Sequence, residues 1–338
     1  MKRVYIVTGV CGHLGNTVAN LLASEKKEVR GLALPGEDAS MLNPAVEVFR
    51  GDVCDVASLE KLFTGWSDSE SSVIVIHTAG IISIEGKDDR LIRKVNVEGT
   101  RNIVELCKAH KVDKLVYISS VHAIPELPQG NEITEVDYFS PDTVVGLYSK
   151  SKATATALVL QAAKEGLDVS IVHPSGLIGP NDYGTGLMTQ MIVNYLKGTL
   201  RACIKGGFDF VDVRDVAEAV ISATENGKSG SCYILSNRYY SIREIVDILF
   251  DLTGRKPIKA MLPLWFVKLF LPFTGLYFKA LREKPLFTRE SLMMLESNSN
   301  FSSEKAKKEL GFKTSDMRQT LKDTVKFLQS IGRLKVKI

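Results

Sequence analysis

No Cys-x-x-Cys pair occurs in this 338-residue sequence, and its five cysteines (Cys11, Cys54, Cys107, Cys203, Cys232) are scattered. That pattern fits reduced thiols in a cytosolic protein rather than a disulfide frame or zinc ribbon. The five histidines form no ligand-spaced pair on one helix face, so no metal site is expected. Neither sign of charge dominates. Lys and Arg number 43 against 39 Asp and Glu, and the resulting +4 gives no basic footprint for nucleic acid. No internal repeat or low-complexity tract stands out.

Long apolar runs are scarce too. Behind Met1-Lys2-Arg3 the apolar stretch is too short for a signal peptide and ends in a glycine turn, so a cytoplasmic protein is expected. The most apolar run, Met261 to Phe278, is broken by Pro263, Lys268, Pro272 and Gly275, which makes it a poor transmembrane span. Three readings of residues 261–284 stay open. They are core or subunit-interface packing, a lid over an apolar substrate, and a segment lying on a membrane surface beside Lys259, Lys268, Lys279, Arg282 and Lys284.

What is present starts at residue 4. Val4 to Val7 is a short β-branched and aromatic run that reads as a buried parallel strand. An apolar-periodic helix follows from Leu14 to Ala23, and between them stand Gly9, Gly12 and Gly15. In this strand–turn–helix context Gly9 permits a tight turn, Gly12 lets a pyrophosphate approach the backbone, and Gly15 allows close packing of helix on strand. The helix start, at His13 and Leu14, presents free N–H groups and a positive dipole end to phosphate.

Strand-like runs recur at Val29–Leu34, Val46–Phe49, Val73–His77, Lys114–Ser119 and Asp168–His173, with helical patterns near 14–24, 55–65, 89–110 and 146–166 between them. Such alternation predicts an α/β fold, a Rossmann-like doubly wound parallel sheet whose ligand crevice lies at the carboxyl ends of the strands. Residues 1–175 would form the dinucleotide-binding domain, with later segments at roughly 205–235 returning to it. Residues 176–338 would form a smaller, mostly helical substrate-binding part, with helices at 187–197, 213–226, 241–253 and 317–331 and a strand at Cys232–Leu235.

The loops after those strands carry the candidate chemistry. After the second strand an acid would select NAD and an arginine NADP. Here stand Ala33-Leu34-Pro35-Gly36, with Arg30 before and Glu37 and Asp38 beyond; the acids put NAD ahead of NADP. Asp52, with Val53 beside it, either accepts from an adenine amino group or caps a helix. Thr78, Ala79 and Gly80 are small enough for backbone to lie against a cofactor. Asn96 stands inside a helical pattern it does not favour, kept by function or by a close helix crossing. Tyr148 and Lys152 share one helix face. A phenol is a poor proton-transfer group at neutral pH, and a nearby ammonium lowers its pKa. Ser120, after the fifth strand, can donate to a substrate oxygen or simply belong to a turn.

Taken together, Thr8-Gly-x-x-Gly-x-x-Gly15, Asp52, Asn96, Ser120, Tyr148 and Lys152 resemble the extended short-chain dehydrogenase/reductases in order and spacing. Pro174-Ser-Gly-Leu-Ile-Gly179-Pro180 and Phe210-Val-Asp-Val-Arg-Asp215-Val-Ala217 look like later landmarks of that superfamily, and Lys284 to Glu290 is similar to its 3β-hydroxysteroid dehydrogenase and dihydroflavonol reductase-like branch. The resemblance implies that Tyr148 is the general acid/base, that Lys152 binds the nicotinamide ribose and tunes the tyrosine, and that Ser120 holds the substrate oxygen. Asn96 would support them, and Pro174 and Leu177 would lie beside the cofactor. His173 stands where the family often has arginine, and Leu34 and Met41 where NADP-using dihydroflavonol reductases carry basic residues. The implied activity is interconversion of a secondary alcohol and a ketone on an apolar, sterol-like or flavonoid-like substrate. A nucleotide-sugar epimerase or dehydratase with tightly held NAD, and a non-catalytic dinucleotide sensor, are the alternatives. The resemblance also suggests a homodimer through the helices near 89–110 and 146–166.

Overall fold

Each predicted strand of the first half forms, and the helices fill the gaps between them. The computed structural model describes residues 2–65, 71–82, 89–184, 186–200, 202–256, 258, 260–267, 292 and 295–335. β1 (Arg3–Thr8) passes through the glycine turn into α1 (His13–Ser24), followed by β2 (Glu28–Ala33) and β3 (Val46–Arg50). α2 (Val56–Leu59) runs into a 3₁₀ turn, Glu60–Phe63, before β4 (Ser72–His77). α3 (Asp89–Arg93) continues through a π-helical turn, Lys94–Gly99, into α4 (Thr100–Ala109). β5 (Lys114–Ile118), α5 (Leu147–Lys164) and β6 (Val169–Pro174) complete this half. Beyond it lie β7 (Gly176–Ile178), α6 (Leu187–Lys197), β8 (Ala202–Ile204), β9 (Gly207–Asp212), α7 (Val213–Asn226), β10 (Ser231–Leu235), β11 (Arg238–Ser241), α8 (Ile242–Thr253), β12 (Ala260–Leu262), α9 (Glu304–Leu310) and α10 (Met317–Ser330).

Seven strands pair in parallel in the order β10-β6-β5-β4-β1-β2-β3. The chain starts in the middle, moves out to β3, then crosses to β4 on the other side of β1. That reversal opens a crevice above the ends of β1 and β4. Side chains alternate between two apolar layers, as the pleat requires. Ile6, Val75 and Leu115 face one layer with Ile103 of α4 and Val159 of α5. Tyr5, Val7, Ile74 and Ile76 face the other with Val18 and Leu22 of α1 and Val220 of α7. Both faces are covered, which is why these strands read as continuous apolar runs.

The later part is less purely helical than expected. It holds a three-stranded sheet, β11-β9-β7, and a two-stranded one, β12-β8. β7, β8, β11 and β12 have only three or four residues, too few for the period-two signal to emerge. β10 pairs in parallel with β6 at the edge of the seven-stranded sheet. Of the apolar run, Met261 and Leu262 lie in β12, Trp265 is exposed, and residues 268–284 lie outside the described residues, as do Lys259 and the Lys284–Glu290 segment. Among the described residues no helix is long and apolar enough to cross a membrane, and no group of three metal-ligating side chains occurs.

Candidate active site

The glycine turn is built around positions that exclude a side chain. Gly9 has φ 69°, and a Cβ there would lie 2.7 Å from Ala79 Cα. A Cβ on Gly15 would strike the Gly9 carbonyl and lie 2.8 Å from Thr78 Oγ1. Gly15 therefore makes room for the turn and for the β4 loop, not for strand β1 as the spacing alone suggests. Gly12 is different: it is exposed, and a Cβ there would meet only the Gly9 carbonyl, at 3.2 Å. Gly12 also N-caps α1 without any side-chain cap. Open backbone at an uncapped helix start suits a pyrophosphate. His13 and Leu14 could contribute only main-chain groups. His13 Nε2 donates to the Pro180 carbonyl at 2.8 Å, and the Leu14 side chain is buried in the apolar layer.

Hydrogen bonds lock the β4 loop to this turn. Thr78 Oγ1 donates to the Thr8 carbonyl at 2.6 Å, and the Ala79 amide donates to Thr8 Oγ1 at 3.2 Å. His77 lies behind them, with Nε2 3.1 Å from Thr100 Oγ1 and Nδ1 2.7 Å from Thr8 Oγ1. Thr100 Oγ1 already donates to the Asn96 carbonyl, so Nε2 carries the proton and Nδ1 accepts from Thr8. This neutral ring is fully buried, and burial pushes it down to about 3.

The side chains of two expected cofactor residues are engaged within the fold, which leaves the Val53 amide, the group expected to face the adenine, unaffected. Arg30 is buried under the 3₁₀ turn, where its guanidinium donates to the carbonyls of Leu62, Thr64 and Gly65, approaches Glu47 at 3.4 Å and lies 5.4 Å from the Phe49 ring. It is a mid-strand residue that closes a helix end, not a reader of the ribose. Val53 is buried and packs against Gly99, whose missing side chain makes that contact possible. Asp52 does follow β3, and its Oδ1 accepts from the Cys54 amide at 2.9 Å. Pro174 ends β6, paired with Leu235, and Leu177 lies half-buried in β7.

At the end of β5 the structure brings Ser120, Tyr148 and Lys152 together. Tyr148 is the second residue of α5, entered through Gly146 at φ 96°. The Ser120 hydroxyl lies beside the Tyr148 phenol and favours its ionised form, and its Oγ accepts from the His122 amide at 3.2 Å. Burial nevertheless pushes that phenol up to about 12, against the pull of Ser120. Lys152, one helical turn on, sends Nζ to the Ile118 carbonyl at 2.8 Å and lies 5.2 Å from the Tyr117 ring centroid. Burial lowers its pKa to about 8. The expectation that Lys152 lowers the tyrosine's pKa is thus not met here, because desolvation dominates at both groups. Both still hold their protons at pH 7.

Asn96 explains the π turn. Its Oδ1 accepts from the Ile81 amide at 2.8 Å, while Nδ2 donates to the Ile81 carbonyl and to Ser151 Oγ, each at 3.0 Å. Ser151 Oγ donates in turn to the Tyr148 carbonyl at 2.7 Å. Asn96 therefore ties the loop after β4 to the start of α5. A Cβ on Gly80 would lie 3.3 Å from Asn96 Oδ1 and 3.5 Å from Lys152 Nζ, so the small residue keeps this junction open. His122 was not singled out by the sequence. Its ring stacks on Phe208 at 5.2 Å and meets the Tyr148 ring edge-on at 6.3 Å. Its place two residues after Ser120 was the available signal.

A glycine cradle at the sheet's reversal point, with a serine, tyrosine and lysine across the crevice, defines an NAD(P)-dependent oxidoreductase of the extended short-chain type. The chain belongs to the NAD dependent epimerase/dehydratase family, whose model matches residues 5–236. Sterol demethylase protein B of Methylococcus capsulatus is 31% identical over 97% of this chain and 99% of its own. 3 beta-hydroxysteroid dehydrogenase type 7 of Mus musculus is 27% identical, covering 92% of this chain and 91% of that one. The crystal structure of gox2253 matches with a TM-score of 0.83 and 31% identity, over 98% of this chain and 99% of that chain. These relatives place the chain in the 3β-hydroxysteroid dehydrogenase and dihydroflavonol reductase-like branch.

Proposed function

We propose that this enzyme interconverts a secondary alcohol and a ketone on an apolar, ring-bearing substrate, sterol-like before flavonoid-like. The observation that carries the reading is the convergence of Ser120, the Tyr148 phenol and the buried Lys152 ammonium at the end of β5. Tyr148 donates its proton to the substrate oxygen in reduction and takes it back in oxidation. Ser120 holds that oxygen as charge develops on it. Lys152, with one of its N–H groups on the Ile118 carbonyl, offers the others to the nicotinamide ribose. The Gly12 backbone and the start of α1 would hold the pyrophosphate, and Asp52 the adenine. A bound nicotinamide would supply hydride chemistry, while the protein positions and polarises.

The wall beyond Tyr148 favours an apolar substrate over a sugar nucleotide. His122 stacks on Phe208, which meets Phe210 and Phe301 edge-on at 6.2 and 6.0 Å. Burial holds His122 down at about 4, so it is neutral at pH 7 and offers no charge to a diphosphate. An uncharged, aromatic surrounding of this kind suits an apolar substrate better than a diphosphate. The names of two relatives, a sterol demethylase component and a 3β-hydroxysteroid dehydrogenase, point the same way. The test is turnover of NADH and NADPH over a panel of ring ketones, with sterol ketones included and UDP-sugars as competitors. Turnover of ring ketones without inhibition by UDP-sugars supports the reading. Tight UDP-sugar binding without ketone turnover replaces it with an epimerase.

A further inference from the structure

Lys152 carries a buried charge without a carboxylate beside it. Its side chain is almost wholly enclosed, and among the described residues no acid pairs with it. An unpaired buried ammonium ordinarily gives up its proton. The titratable groups on the surrounding elements are all uncharged at pH 7: Tyr117 of β5, His77 of β4, His173 of β6, and Tyr148 one turn back on α5. Asn96 of the π turn is uncharged too, and is bonded to the Ile81 backbone and to Ser151. None of them supplies a negative charge.

Two groups do face the ammonium. The Ile118 carbonyl accepts one N–H at 2.8 Å. The other is the Tyr117 ring, whose centroid lies 5.2 Å from Nζ. The face of an aromatic ring is negative and attracts a cation most strongly where water is excluded. Tyr117 is fully buried in the layer beneath α4 and α5. His77, its register partner on β4, lies beside it with ring centroids 5.7 Å apart, and His77 is itself held by Thr8 and Thr100. The Tyr117 ring is therefore fixed in place. Its hydroxyl contributes nothing comparable, because the phenol oxygen is buried with no hydrogen-bond partner among the described residues. A buried oxygen left unbonded weakens the fold, so what the site uses is the ring.

We propose that Tyr117 is a positioning residue: its ring face takes the place of a carboxylate, holding the Lys152 ammonium charged and aimed at the crevice where a nicotinamide ribose would lie. The inference rests on the dinucleotide reading above. A neutral ring suits this site better than an acid, since a carboxylate would claim the N–H groups that ribose hydroxyls need. Gly80 keeps that side open, because a Cβ there would lie 3.5 Å from Nζ.

The charge on Lys152 can be read by NMR on protein carrying isotope-labelled lysine, with no substrate present. Its Cε resonance is the one missing in Lys152→Met. Tyr117 is replaced by phenylalanine, and by mono-, di- and trifluorinated phenylalanines that keep the ring's shape and progressively remove its negative face. In the wild type the Lys152 midpoint should fall near pH 8. Tyr117→Phe should leave it unchanged, since only the unbonded hydroxyl is lost. Trifluorination should move it about one pH unit lower, with lesser fluorination in between. At pH 8 that cuts the charged fraction about 5-fold, and NADH affinity measured by fluorescence should weaken by up to that factor. A midpoint that stays the same across the fluorinated series overturns the proposal, as does a fall in Tyr117→Phe as large as that in the trifluorinated protein. Midpoints that fall in series in a protein that binds no NADH at any pH support the ring's hold on the cation and overturn the dinucleotide reading.

Discussion

Through His77, His173 and Asp209, acidification from pH 7 to pH 5 should destabilise the fold by about 2 to 3 kcal/mol, and the neutral His122 beside Tyr148 adds to that loss. His77 and His173 are both fully buried and neutral, with pKa values pushed down to about 3 and about 4 by desolvation. His173 Nδ1 donates to the Ser120 carbonyl at 3.0 Å, its ring stacks on Phe139, and Nε2 has no partner among the described residues. Neither ring can take a second proton without a buried charge. In the unfolded chain both titrate near 6.5. Their contribution is therefore complete above about pH 6.5 and lost progressively as the pH falls toward the folded values. Between pH 7 and 5 that is roughly 2 kcal/mol for each ring. Asp209 works in the opposite direction. Burial raises its pKa to about 6, despite hydrogen bonds from Ser175 Oγ and the Asn237 amide. The folded state takes up that proton first and recovers roughly 1 kcal/mol over the same interval. Urea unfolding followed at pH 7, 6 and 5 measures the difference, provided the m-value stays constant. Asp209→Asn should steepen the acid loss, and His173→Asn should remove about half of the joint His77 and His173 part. Equal stability at pH 7 and 5, or an imidazole at position 77 titrating near 6.5 by NMR, would refute the buried-neutral assignment.

The other expected outcomes concern the cradle and its neighbours. Gly15→Ala places a methyl against the Gly9 carbonyl and Thr78, and overpacking of this kind should cost about 1–3 kcal/mol and weaken NADH binding in fluorescence titration. Arg30→Met removes the donors to Leu62, Thr64 and Gly65 and should lower urea stability by about 1–3 kcal/mol while leaving NADH affinity unchanged. Loss of NADH binding at full stability would restore Arg30 to the cofactor site. Lys152→Met removes a desolvated ammonium and should raise stability at pH 7 by up to about 3 kcal/mol, yet weaken dinucleotide binding. A less stable, tightly binding variant would contradict the ribose-holding role.

The sheet was legible because its strands are buried on both faces and so appear as uninterrupted apolar runs between periodic helices. Its strand order was not in the pattern and is given by the fold alone. The short strands β7, β8, β11 and β12 were not legible, since three or four residues show no periodicity. Among site residues, Tyr148 and Lys152 could be paired from helical spacing, and Asn96 stood out as a poor helix former. Arg30 was misread because a charge in mid-strand looks available until its depth is known. His122 had no signal beyond its place two residues after Ser120, because its contacts with Tyr148 and Phe208 join distant parts of the chain.

The most direct test is Tyr148→Phe, assayed for NADH binding and for turnover of the best ring ketone. The ring packing is kept and only the proton-transfer group is lost, so kcat should fall by about 10²- to 10⁴-fold while the NADH dissociation constant changes little. Turnover within a few-fold of the wild type would contradict the claim that this phenol moves the proton.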